Sequence, residues 1–174
     1  MDLVFFNKGD IAAITQIIKS HPLFKKSEIT KRYPYKVDEE LLKEGEPTVI
    51  EDTNLPRFDL FYKFVFSVDA EGIFKGCKRS LRFDLLKLRL AEPEDLILLK
   101  GVSGRPIDRQ DIRKIAKELK VDWESFLDSV EKHHKKNSRI VWLLLGNLYD
   151  INKEGKIVPV FVLKKMAGLF GMKM

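Results

Sequence analysis

Acidic residues set opposite a lysine are the groups in this chain best suited to chemistry. Lys100 closes the apolar run Leu96-Ile97-Leu98-Leu99, and the segment Gly101-Val102-Ser103-Gly104-Arg105-Pro106 leads on to Asp108 and Asp111. Pro93, Glu94 and Asp95 read as a helix start, with proline in the first turn and acids at the positive end of the helix. Lys100-Gly101 reads as its stop. Asp108 can cap a second helix, with Asp111 at the capping-box position. Lys100 then faces two carboxylates across a turn. The structural reading of that layout is an ion pair between two capped helices, and the chemical reading is a cation held ready for phosphate.

Asp59 sits in Arg57-Phe58-Asp59-Leu60-Phe61. An unpaired carboxylate buried among those residues is expensive, so Asp59 is either a site residue or the partner of Arg57, which shares its strand face. The adjacent pair His133-His134 points in two directions on a helix and lies among lysines, a poor metal site. Cys77 has Lys75, Lys78 and Arg79 near it, which favours thiolate. No paired histidine and asparagine accompany it, and it reads as inert. No serine triad, CxxC zinc site or dinucleotide-binding glycine fingerprint is present.

Composition narrows the classes. The chain has 174 residues, 44% of them hydrophobic and 33% charged, which describes a globular protein with one sizeable core. A single cysteine excludes an internal disulfide and points to a reducing, cytoplasmic setting. No apolar run reaches membrane-spanning length, so no membrane partner is expected. The apolar start of the chain lacks the basic region of a secretory signal. A net charge of +6 suits an anionic partner such as a nucleotide or RNA, although the cations are scattered. Abundant Lys and Glu with sparse Gln fits a thermophile.

The elements that must carry these groups follow from patterning. Met1 to Phe6 reads as a buried strand, Ile11 to Ser20 as a helix capped by Asp10, and Lys25 to Lys36 as a basic connector. Asp38 to Glu44 reads as a short helix. Thr48–Glu51 and Arg57–Phe61 read as a hairpin, and Phe83 to Leu90 as a strand with one wet face. Beyond Glu92 the pattern is helical. Ile112, Ile115, Ala116 and Leu119 face inward on one helix, and Phe126, Leu127 and Val130 on the next, which Asp122 caps. Asn137 or Ser138 caps a helix over Arg139–Tyr149, and Ile157–Phe170 is a last apolar segment. Trp123 and Trp142 read as core. The expectation is an α+β fold, with a small mixed sheet over residues 1–90 and a helical bundle over 91–174.

The string Pro93-Glu94-Asp95-Leu96-Ile97-x-x-Lys100, the Gly-Arg turn, Asp108-x-x-Asp111-Ile112 and Asp122-Trp123 together resemble small nucleotidyltransferase-fold proteins of bacteria and archaea. These include the abortive-infection type of toxin–antitoxin nucleotidyltransferases. The resemblance spans Asp2 to Tyr149 and is most specific over Leu90–Trp123. It implies a mixed sheet of the nucleotidyltransferase type, Mg²⁺ as cofactor and an NTP as substrate. The reaction implied is transfer of NMP to an RNA or protein hydroxyl. In that pattern Asp59 is the third metal-binding acid and Asp2 the second acid of an Asp-x-Asp pair. Lys100 is a phosphate-facing cation, with Asp111 or Asp108 paired to it. The first acid and the glycine-rich triphosphate loop would fall ahead of Met1. Two expectations follow: a start at an internal methionine of a longer frame, or a shortened homologue without catalysis that acts as a binding or partner protein. The second includes self-association through an open sheet edge.

Overall fold

A computed structural model describes residues 2–6, 9–10, 28–31, 48–52, 55–66, 68–74, 77–83 and 86–173. The helix expected over Ile11–Ser20, the basic connector beyond its stretch at 28–31, and the helix over Asp38–Glu44 lie outside them. The chain divides into two compact units, Met1–Gly72 and Ile73–Met174.

The first unit is built on four strands: β1 (Asp2–Phe5), β2 (Glu28–Lys31), β3 (Thr48–Asp52) and β4 (Leu55–Tyr62). They form one mixed sheet in the order β1-β4-β3-β2. β3 and β4 pair antiparallel, the hairpin expected from their turn residues, with an irregularity between Ile50 and Asp52. β1 lies parallel to β4, which requires a long crossover between them. Leu60, Phe61 and Tyr62 are buried along β4, and Phe5 packs on Tyr62. The ladder runs one residue further, where the Lys63 N–H donates to the Phe5 carbonyl at 2.8 Å. A small hairpin follows, β5 (Phe64–Val65) against β6 (Val68–Asp69). Phe66 occupies its turn at φ 56°, a left-handed conformation rarely adopted without glycine. Its ring meets Phe61 edge-on at 5.8 Å, a contact that offsets the backbone cost.

Helix α1 (Ala70–Phe74) runs across the division, and the second unit continues with the hairpin β7 (Ser80–Phe83) and β8 (Leu86–Arg89). The strand expected over Phe83–Leu90 corresponds to β8, while Phe83 ends the separate strand β7. β7, Ser80-Leu81-Arg82-Phe83, alternates polar and apolar residues over a stretch not expected to form a strand of its own. Five helices follow: α2 (Pro93–Ser103), α3 (Pro106–Glu118), α4 (Trp123–Lys136), α5 (Ser138–Glu154) and α6 (Val160–Gly168). Their buried faces follow the helical period: Ile97 and Leu98, Ile112, Phe126 and Val130, then Val141, Leu144, Leu148 and Ile151, then Val162 and Met166. Asp122 caps α4 as expected, accepting from the Glu124 and Ser125 N–H groups at 3.1 Å each. Asn137 caps α5 by accepting from the Arg139 N–H. Among the described residues no helix is long and apolar enough to cross a membrane.

Two expected core positions are not core. Leu119 is 44% exposed because α3 ends at Glu118 and the chain turns extended there. Trp142 is 52% exposed, on the outer side of α5.

Gly101 does not stop α2. It lies inside that helix, and a Cβ placed on it would come within 2.2 Å of Leu144 Cδ1, so the missing side chain is what lets α2 approach α5. The stop is Gly104, at φ 65°. A Cβ there would meet the Asn147 amide at 2.7 Å. Replacing Gly104 with alanine is expected to cost about 1–2 kcal/mol from the left-handed backbone alone. Urea unfolding followed by the fluorescence of Trp123 and Trp142, both in this unit, measures it.

Candidate functional site

Each unit positions one group of the residues singled out by sequence. In the first unit the parallel pairing of β1 and β4 sets Asp2 opposite Asp59, in register as Cα partners. In-register positions on neighbouring strands lie on one side of a sheet and about 4.8 Å apart. Like charges at neighbouring positions of two strands are unfavourable. The register places two acids at partnered positions of one sheet. Asp59 is part-buried and directly precedes the buried Leu60 and Phe61 of β4. The alternative partner suggested by sequence, Arg57, has its side chain outside the described set.

In the second unit α2 and α3 bring Lys100, Asp108 and Asp111 together. The Lys100 ammonium donates to Asp111 Oδ2 at 2.6 Å and to Asp108 Oδ1 at 3.4 Å. Asp108 is 1% exposed. Its carboxylate also accepts from Arg105, through Nε at 2.5 Å and Nη2 at 3.2 Å, and from the Ser103 hydroxyl. Burial would raise the Asp108 carboxyl, but the bonds from Arg105 and Ser103 and the charges of Arg105 and Lys100 outweigh it and hold it below the ordinary range. Burial would likewise lower the Lys100 ammonium, and its Asp111 and Asp108 partners overcome that and hold it above its ordinary value. Lys100 is thus a fixed cation and no general base.

Asp108 does not cap α3. That helix starts at Pro106, so Asp108 falls at its third position and its oxygens turn to side chains of the preceding turn. Asn147 of α5 was not singled out from sequence. Its amide donates to the Gly101 carbonyl at 2.8 Å while its oxygen accepts from Arg109 at 3.0 Å, tying the α2–α3 turn to α5. No local signal marks it, because both partners are distant in the chain.

No protein-family model matches the chain, and no curated protein matches it. What the two groups can do therefore rests on their own chemistry. Among the described residues no group of three or more His, Cys, Asp or Glu side chains is placed to hold a metal ion. The His133-His134 pair is no exception: His133 is buried and the His134 ring stands edge-on to Phe170. Cys77 has its thiol pushed up, first by burial and then by the Asp95 and Glu92 charges, so the lowering expected from neighbouring cations does not occur.

Asp95, in the first turn of α2, is pushed up to about 6 by burial and by the charges of Glu94 and Glu92, against the pull of the Glu92 N–H. An acid raised in the folded state favours folding most below its ordinary 3.8, and that benefit is lost as pH rises through about 6. Asp95→Asn is therefore expected to match the parent near pH 4 and to exceed it at pH 8 by about 1 kcal/mol, with partial exposure discounted. Urea midpoints at both values read this difference, and a less stable variant at pH 8 would show that the carboxylate is favourably held.

Proposed function

We propose that the chain is a nucleotidyltransferase-like protein, whose chemistry is Mg²⁺-dependent transfer of NMP from an NTP to an RNA or protein hydroxyl. The reading is carried by one observation, the in-register placement of Asp2 and Asp59 on adjacent parallel strands. Carboxylates paired in that way suit hard divalent cations, which take oxygen ligands. Asp2 and Asp59 would hold the cation, which supplies charge neutralisation for the triphosphate and activation of the attacking hydroxyl. The order of residues over Leu90–Trp123 supports the same reading through its family resemblance. The small mixed sheet followed by helices is compatible with it.

A second reading keeps the fold and drops the chemistry, leaving a binding protein for a partner chain. It is favoured by the Lys100 network, where the ammonium meant for phosphate is engaged by two carboxylates within its own unit. Titration calorimetry of the full chain with ATP, CTP, GTP and UTP in excess Mg²⁺ separates the two. Transfer chemistry requires saturable heat from at least one NTP that disappears when Mg²⁺ is chelated. No heat from any of the four favours the binding protein.

A further inference from the structure

Three rings meet in the second unit near the junction of α4 and α5. His134, in the last turn of α4, stands edge-on to Phe170 at 4.9 Å, and Phe170 stands edge-on to Trp142 at 5.2 Å. Phe170 is itself held by its N–H bond to the Ala167 carbonyl at the end of α6. The indole of Trp142 is thus braced on one side while half its surface stays open to solvent. The open half of the ring is an aromatic surface on which another planar group can stack.

Cations gather at the same junction. Lys132, Lys135 and Lys136 are exposed on the last turns of α4, and Arg139 is exposed on the first turn of α5, with only Asn137 between the helices. Arg139 precedes Trp142 by three residues and so shares its face of α5. It makes no ion pair among the described residues. Glu131, paired with Lys135 at 3.1 Å, is the acid of this stretch.

We propose that Trp142 and the cations of the α4–α5 junction form a binding site for a single-stranded polynucleotide. A base stacks on the open indole while Arg139, Lys135 and Lys136 take the flanking phosphates. Protein interface cores are depleted in lysine, which disfavours a protein occupant for this cluster. A duplex hides its base faces and cannot use the indole. The site draws on the second unit alone and stands whether or not the chain transfers nucleotides.

Fluorescence anisotropy of the full chain with labelled oligo(U) and oligo(dT) of about twelve nucleotides tests it, with a duplex of equal length and a poly-glutamate peptide as competitors. Both single strands are expected to bind, and a preference for oligo(U) identifies RNA as the source. Trp142→Ala should weaken binding about tenfold and Trp142→Phe restore most of it, because a ring is what stacks. Arg139→Gln should reduce the salt slope by about one. Equal affinity in Trp142→Ala, equal binding of the duplex, or displacement by poly-glutamate as effective as by unlabelled oligonucleotide would each overturn the proposal.

Discussion

Asp108→Ala is expected to unfold the second unit about 1–3 kcal/mol more easily than the parent, the cost of leaving a buried hydrogen-bond donor without its acceptor. Asp108 is where the α2–α3 turn closes. Lys100, Ser103 and Arg105 all donate to a carboxylate that water does not reach. Removing it leaves a hole and strands the Ser103 hydroxyl, while Arg105 can turn to solvent and Lys100 keeps Asp111. Asp111 makes the shorter bond to Lys100, yet its side chain is 39% exposed. Asp111→Ala should therefore cost only about 0.5–1 kcal/mol. The order of the two effects follows burial, not bond length. A loss below about 0.5 kcal/mol for Asp108→Ala would mean that the turn is closed by something else.

The same network sets a pH window. A carboxyl held below its ordinary 3.8 contributes stability above that value, and the contribution is lost as pH falls through the depressed value. An ammonium held above its ordinary 10.5 contributes below that value and loses it as pH rises through the raised one. The α2–α3 clamp should therefore hold across the whole neutral range and fail at the two extremes. Asp108→Ala should remove the acid edge of the window.

The second large effect concerns Asp59. If Asp59 and Asp2 share a divalent cation, Asp59→Asn removes a ligand charge, and cation affinity should fall by more than about 10–100-fold, the loss that follows from disturbing even a supporting partner of a metal ligand. Without cation the effect is small. Two acids at partnered positions repel, so Asp59→Asn relieves that repulsion and should change the stability of the metal-free protein by less than about 1 kcal/mol. Weaker cation binding together with little change in stability marks a functional acid. A structural acid, such as a partner of Arg57, would show the reverse: unchanged cation binding and a clear loss of stability. Asp2→Asn should behave like Asp59→Asn, since the register treats the two positions alike.

The sequence was legible where local pattern and tertiary role coincide. The α4 helix shows this: Asp122 caps it, and Phe126, Leu127 and Val130 face inward at helical spacing. The β3–β4 hairpin is another case, with strand formers on either side of a short polar turn. Lys100 and its two aspartates were legible because the turn between their helices is short.

The failures share one cause, a residue type whose reason is tertiary. Gly101 looks like a helix stop, but its missing side chain makes room for Leu144. Trp142 looks like core, yet only packing decides which side of α5 faces out. Asp108 looks like a cap until Pro106 moves the helix start back by three residues. Asn147 carries no signal at all, since it bridges Gly101 and Arg109 from α5. The parallel placement of Asp2 against Asp59 lay beyond local pattern as well. The family resemblance suggested neighbouring strands, while the register that pairs them comes from the sheet.

The most direct measurement is Mn²⁺ binding to the full chain, read by electron paramagnetic resonance as loss of the free-ion signal and repeated with Mg²⁺ as competitor. Saturable Mn²⁺ binding that Mg²⁺ displaces, and that both Asp2→Asn and Asp59→Asn abolish without loss of folded protein, is the expected result. Mn²⁺ binding that survives both substitutions, or no binding to the parent chain with or without NTP, would contradict the assignment of Asp2 and Asp59 as a cation site.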